Sequence, residues 1–354
     1  MNAIILHCKP GSRFHFGKYA PDRDSDTALA DTDEIIHSDT LFAALANNWS
    51  DSAGNADELV ALFNSGRVNI SSGFHCLEAG GVFTYFLPRP VSFNLFDPEG
   101  GTDIKKFRKI NYISSGIWQR LITPGSLPVL EDIVIIDKRF ALCSDELPCL
   151  QSLPANERAL LSAQLSICST VTLPKVEVRN NEPDSRIYQL SVTEIADNTK
   201  FIPELRVHYY FLLEAAQDIA PALKQKLDLS IALLQYNGVG AERSTIGHFE
   251  DITTIPGWNI NIGQPHSSLC CSIGLVNPLE TQTAWLGKSI VRGGRRLGSE
   301  GRRWLHSVRM LMEGAIISST EKGRLVSVSP EESAGPFLRN GIAFTLPVHQ
   351  NWIP

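Results

Sequence analysis

Arg206-Val207-His208-Tyr209-Tyr210-Phe211-Leu212-Leu213-Glu214 reads as a strand, and the helical stripe Leu223, Leu227, Ile231 and Leu234 follows it over 221–236. The helix then runs into Gly238-Val239-Gly240-Ala241-Glu242-Arg243-Ser244-Thr245-Ile246-Gly247. A plain helix stop needs one glycine. Here three glycines, an arginine and two hydroxyls follow the helix directly. Glycines let a backbone turn tightly and expose its N–H groups, and an arginine adds a charged fork, so the combination can grip a phosphate chain. Taken alone, the loop reads equally as a helix C-cap with a glycine-rich turn.

Working outward, the N-terminal half repeats the theme. Residues 2–8 predict a first strand, and 17–34 a polar, acidic loop. Ser38 is placed as an N-cap with Asp39 in the first turn, ahead of a helix buried through Leu41, Phe42, Leu45 and Trp49. Strands are expected at 68–75 and 82–88, around the turn Gly80-Gly81. A helix carrying Phe107, Ile110, Ile117 and Leu121 begins with the basic run Lys105, Lys106, Arg108 and Lys109. A strand at 133–136 follows, 138–175 gives no clear pattern, and 176–193 reads as an irregular hairpin with Arg179 and Arg186. Beyond the glycine loop, strands are expected at 268–275, 284–291, 314–319, 324–328 and 341–346, with a helix or tight turn at 301–312. Two successive strand-helix-strand-strand units predict an α+β protein of two tandem ferredoxin-like (RRM-like) domains, residues 1–200 and 201–354.

The 354 residues, 43% hydrophobic, can fill two cores. A net charge of −6 argues against a wholly basic nucleic-acid coat, so any nucleic-acid surface must be local. The start Met1-Asn2-Ala3-Ile4-Ile5-Leu6 lacks a basic n-region and reads as a buried strand. With no apolar run of membrane-spanning length, a soluble cytoplasmic protein is expected, with no membrane partner. The seven cysteines include no C-x-x-C pair and read as buried free thiols; no metal site and no cofactor are expected.

The common phosphate-binding, metalloprotease and serine-hydrolase motifs are absent, and Gly238-Val239-Gly240 departs from a dinucleotide fingerprint after its second glycine. His37-Ser38-Asp39 could serve acid/base or RNA-cleavage chemistry, or simply begin a helix. Six arginines lie between Arg292 and Arg309, with Glu300 the only acid, interleaved with glycine and followed by Trp304. That pattern suits a flexible RNA-contacting hairpin. Lys105, Lys106, Arg108 and Lys109 add a third local basic patch.

These segments resemble a family. Phe14-His15-Phe16-Gly17 with His37-Ser38-Asp39-Thr40-Leu41-Phe42-Ala43-Ala44-Leu45 is similar to the N-terminal signature of one RAMP subunit of type III-A CRISPR effector (Csm) complexes. Ile70-Ser71-Ser72-Gly73-Phe74 with Tyr85-Phe86-Leu87-Pro88-Arg89-Pro90 resembles its strand pair, Lys105-Lys106-Phe107-Arg108-Lys109-Ile110 its basic helix, and 238–247 its G-x-G-x-x-R-S loop. Met310-Leu311-Met312-Glu313-Gly314 resembles the segment before one of its last strands. The loop here has fewer glycines than is usual in that family. The resemblance implies two ferredoxin-like RAMP folds without a nuclease. It implies a subunit that holds the crRNA 5′ handle and docks the large polymerase-like subunit and a backbone RAMP subunit. On that reading Gly238, Gly240, Arg243, Ser244 and Gly247 grip the handle. Arg179, Lys105, Arg295 and Arg296 add charge, while His37 and Ser38 shape the RNA-facing end of the first helix. The alternatives are a RAMP endoribonuclease that processes precursor crRNA with His37 or His15 as general base, the equivalent scaffold of another type III complex, or a protein that binds no RNA.

Overall fold

The computed structural model describes residues 1–18, 29–91, 108–122, 132–177, 186–260, 265–279, 286–298, 301–330 and 337–349. The first strand, β1 (Asn2–His7), has Ala3, Ile4, Ile5 and Leu6 fully buried, which is the pattern of a strand covered on both faces. A short β2 (Arg13–Phe14) precedes α1 (Ser38–Ala53) and α2 (Asp57–Asn64). Next come β3 (Val68–Ile70), β4 (Phe74–Ala79), β5 (Val82–Pro88) and β6 (Tyr112–Ser114), then α3 (Ser115–Ile122). Of the helix expected from Lys105, residues 105–107 lie outside the described residues, and in the described part the helix begins at Ser115. Tyr112 and Ile113 pair with Pro88 and Leu87, and the backbone bonds that a helix would need go to that ladder instead.

β7 (Ile133–Ile136) forms where a strand was expected, and the stretch without a sequence pattern holds the fully buried β8 (Phe140–Cys143) and two short helices, α4 (Pro148–Gln151) and α5 (Ala155–Ser162). A long hairpin, β9 (Cys168–Glu177) and β10 (Arg186–Ile195), follows. Then come β11 (Arg206–Ala215), α6 (Pro221–Ala232), α7 (Leu234–Asn237) and β12 (Asp251–Pro256).

Nine strands form one sheet in the order β12-β1-β11-β4-β5-β6-β8-β7, with β3 also on β11. The pairings are antiparallel except for β6 with β8. β1 thus lies between β11 and β12, and α1 packs beside α6. This sheet contains strands from both sides of the boundary expected at 200/201, with β11 and β12 paired to β1.

The remaining strands are β13 (Pro265–Ser272), β14 (Ser289–Gly298), β15 (Gly301–Leu311), β16 (Ile316–Ser318), β17 (Gly323–Ser327), β18 (Leu338–Ile342) and β19 (Thr345–His349). They form a three-stranded sheet, β16-β13-β19, and two ribbons, β14-β15 and β17-β18. β15 occupies the span expected as a helix or tight turn. Its residues pair with β14 from Ser289↔Leu311 to Gly298↔Gly301, so the backbone bonds a helix would need go to that ladder. One apolar core continues from the large sheet into Cys271, Ile273, Ile316, Phe344, Leu346 and Val348, so the C-terminal strands are fused to the first unit through shared side chains. All seven cysteines are free, and six of them are buried. Burial pushes the Cys8 thiol up to about 12, which leaves it an inert apolar side chain.

Candidate nucleic-acid interface

After α7 the chain turns at Gly238, with φ 67° and ψ 177°. The loop closes on itself and on β2. Val239 N–H donates to Gly247 O (2.9 Å), Gly247 N–H to Arg13 O (2.8 Å), and Ala241 N–H to His15 O (3.0 Å). The glycines make this approach possible. A Cβ on Gly240 would sit 2.4 Å from His15 O, one on Gly247 2.6 Å from Val239 O, and one on Gly238 2.8 Å from Gly247 O. Several N–H groups expected to face a ligand are thus spent in docking the loop. Glu242, at φ 57°, then accepts from the Thr245 and Ile246 N–H groups (2.9 and 3.1 Å). That tight turn carries Arg243 and the exposed Ser244 and Thr245 outward. Arg243 is half-buried, and among the described residues no hydrogen bond or ion pair engages its guanidinium.

β2 joins this loop to the long hairpin. Phe14 and Arg13 pair with Thr193 and Glu194 of β10, and Arg13 Nε reaches Glu194 at 2.6 Å. His15 is buried, its Nδ1 2.7 Å from the Ser191 carbonyl, and burial lowers its pKa, so it is a neutral tie between loop and hairpin. Segments more than 200 residues apart in sequence meet here. The hairpin tip with Arg179 lies outside the described residues, as does Lys105.

The N-terminus of α1 differs from its expected role. His37 occupies the cap position and makes no capping bond; Ser38 is the first helical residue. Ser38 N–H donates to Ser72 Oγ (2.9 Å), while Ser38 Oγ accepts from Leu275 N–H (3.0 Å). His37 is 2% exposed and lies between Glu313 (Nδ1–Oε1 2.9 Å) and Asp33 (Nε2–Oδ2 3.2 Å). Burial opposes its charge, but Glu313 and Asp33 raise its pKa to about 9. Asp39, also buried, accepts two bonds of 3.0 Å from Arg292 and a third from Arg339. These two arginines hold its carboxyl well below the usual range against the desolvation cost. His37 and Ser38 therefore offer no surface to a phosphate: they tie α1 to Glu313 and Leu275, while Asp39 ties it to Arg292 of β14 and Arg339 of β18. These partners are 237 to 300 residues away, a separation no local motif reveals.

The His37 pair sets a pH dependence. A histidine whose folded pKa is raised from 6.5 to about 9 contributes stability that is full below 6.5 and is lost as pH rises through 9. The thermal midpoint is expected to fall across that window, and His37→Gln to flatten the slope. A midpoint with the same slope in wild type and variant would contradict the assignment.

Of the six arginines at 292–309, Arg292 is turned inward onto Asp39. Arg295 and Arg296 lie on β14, opposite Trp304 and Arg303. Sequence reasoning gave Arg292 no separate role, because its carboxylate partner is 253 residues away.

His7, Glu78 and His208 come together as one possible ligand group among the described residues. Cys8 N–H donates to His208 Nδ1 (3.0 Å), which fixes the ring proton on Nε2, 3.0 Å from Glu78. A cation at Nε2 would have to displace that proton from an imidazole with no other, so the trio fits a hydrogen-bonded chain better than a metal site.

No family model matches the chain. A curated relative, the "CRISPR system Cms protein Csm4" of Methanocaldococcus jannaschii, is 22% identical over 357 residues, spanning 94% of this chain and 89% of the relative. The chain is Csm4-like. Its fold matches a chain in the crystal structure of the Csm3-Csm4 subcomplex of the type III-A CRISPR-Cas interference complex, with TM-score 0.64 and 18% identity over 99% of this chain and 100% of that one. It also matches a chain of the Csm1-Csm4 cassette in complex with cA4, with TM-score 0.54 and 19% identity over 100% and 99%. The Csm4-like fold thus extends along the whole chain, including the segments that hold the glycine loop, β2 and the β9–β10 hairpin. No helix among the described residues is long and apolar enough to cross a membrane.

Proposed function

We propose that this chain is a non-catalytic, crRNA-binding scaffold subunit of a type III-A CRISPR-Cas interference complex in the cytoplasm. In this role it holds the crRNA 5′ handle and docks the large polymerase-like subunit and a backbone RAMP subunit. The observation that carries the reading is the near-complete match to the Csm4 relative and to chains from Csm3-Csm4 and Csm1-Csm4 assemblies. The loop geometry supports it. Arg243, unengaged among the described residues, stands on a turn braced by its glycines, beside Ser244, and can fork onto a phosphate. Arg179, Lys105, Arg295 and Arg296 would add charge along the RNA.

The fold is read as two ferredoxin-like RAMP units. The first is β1–α1–β4…β11–α6–β12, with β12, β1, β11 and β4 adjacent. The second comprises the strands after residue 264.

The processing-enzyme alternative loses its bases. His37 is buried and charged between two carboxylates, and His15 is buried with Nδ1 on a carbonyl. A general base must reach solvent or substrate in its neutral form.

Co-expression with the candidate complex subunits and a crRNA, followed by affinity purification, tests this reading. Wild type should bring down a short RNA of uniform 5′ end together with a large subunit. Arg243→Ala should weaken RNA binding by about 10- to 100-fold, the value of a charge-assisted hydrogen bond, with no change in thermal midpoint. Purification of a lone chain that cuts repeat RNA would replace the scaffold with an enzyme.

A further inference from the structure

The β14–β15 ribbon carries a feature the loop reading does not use. Its register runs Arg292↔Val308, then Gly294↔Leu305 and Arg295↔Trp304. Two residues of β14 stand against three of β15, so the bulge is on β15 and β14 alternates without interruption. Arg292 points to α1, where it meets Asp39. By alternation Val291 and Gly293 lie on the opposite face, as do Arg309, which pairs with Val291, and Trp304, which pairs with the β14 position two beyond Gly293. Trp304 is 52% exposed, and Arg309 is exposed. Arg339 donates to the Gly293 carbonyl and to Asp39, so the base of the ribbon is fixed to the body from behind.

The outward face thus combines an indole, cationic positions and, at Gly293, a position with no side chain between the two cross-strand pairs. A nucleobase stacks on an indole whatever its sequence, and nearby arginines neutralise its phosphates. The charge selects the occupant. The chain carries −6 overall, yet this hairpin has six arginines against one acid in its sequence, and Arg292 is the one that Asp39 neutralises among the described contacts. A polyanion complements that surface.

We propose that this ribbon is a second contact for single-stranded RNA, separate from the glycine loop, in which Trp304 stacks on a base. It rests on the RNA-binding reading above but not on Arg243.

The test titrates the full chain with a short, mixed-sequence, fluorophore-labelled single-stranded RNA and compares wild type, Trp304→Ala, Trp304→Phe and Arg243→Ala. Trp304→Ala should bind about 5- to 150-fold more weakly, as for one lost stack, at an unchanged thermal midpoint. Trp304→Phe should keep most of the affinity yet lose part of the RNA-induced quenching of tryptophan emission. If Trp304→Ala binds as wild type while Arg243→Ala does not, the ribbon proposal falls and the loop reading stands; the reverse pattern removes the loop and keeps the ribbon. Equal losses in Trp304→Ala and Trp304→Phe, with lowered midpoints, would make the ring a packing residue and overturn the proposal. Unchanged RNA affinity with loss of a co-expressed protein subunit would overturn it in favour of protein docking. A wild-type chain that takes up no RNA overturns both readings.

Discussion

Asp39→Ala is expected to lower folding stability by about 3–5 kcal/mol, the cost of leaving buried charge without its partner. The size follows from the geometry. Asp39 is 1% exposed and receives both Arg292 and Arg339, so the substitution leaves two guanidinium groups facing a void. Arg292 is itself 5% exposed and, among the described residues, keeps Thr40 Oγ1 as its remaining side-chain partner. The denaturation midpoint in urea reads the effect. The double variant Asp39→Leu with Arg292→Met, which removes the two-bonded pair and keeps the volume apolar, should recover a large part of it. A loss below about 1 kcal/mol, typical of exposed ion pairs, would show that water reaches the cluster.

Gly240→Ala should damage both stability and RNA binding. At φ 96° a side chain is strained by roughly 1–2 kcal/mol, and the new Cβ would lie 2.4 Å from the His15 carbonyl oxygen, a backbone atom held in place by β2. The loop must lift off His15, breaking the Ala241-to-His15 bond and moving Arg243. Chemical denaturation and RNA titration together separate this from its neighbours. Arg243→Ala should change affinity alone, and the exposed Ser244→Ala should leave stability within about 0.5 kcal/mol. Wild-type behaviour of Gly240→Ala in both assays would mean that the glycine is not needed for docking.

Much of the framework was legible where the apolar period is strong. Ile4, Ile5 and Leu6 in β1, the run 207–213 in β11, and Leu41, Phe42, Leu45 and Trp49 in α1 carry their burial in their spacing. The glycine loop was legible as an unusual turn, though its glycines serve backbone approach to His15 more than ligand contact. What failed has a common cause. β15 was hidden because arginine and glycine dominate a ribbon with one face in water, and β6 because three residues are too few to show a period. Ser38 satisfies every local rule for a cap, yet its hydroxyl bonds to Leu275 across the core. The pairing of β11 and β12 with β1 was hidden because sequence order suggests that a new strand-helix pair opens a new sheet, whereas here it returns to the first one. Tertiary partners hundreds of residues away decide such matters, and no window of sequence contains them.

The place of β1 between β11 and β12 has a consequence for synthesis. The apolar run from Ala3 to Leu6 in β1 is made long before either neighbour, since residues 206–215 and 251–256 follow much later in the chain. At the usual pace of about 5–20 residues per second, that delay is on the order of 10–50 s. Throughout that time Ile4, Ile5 and Leu6 have no ladder to join, so a nascent chain of this kind depends on chaperone cover, and translation that pauses before residue 256 should send it to aggregates.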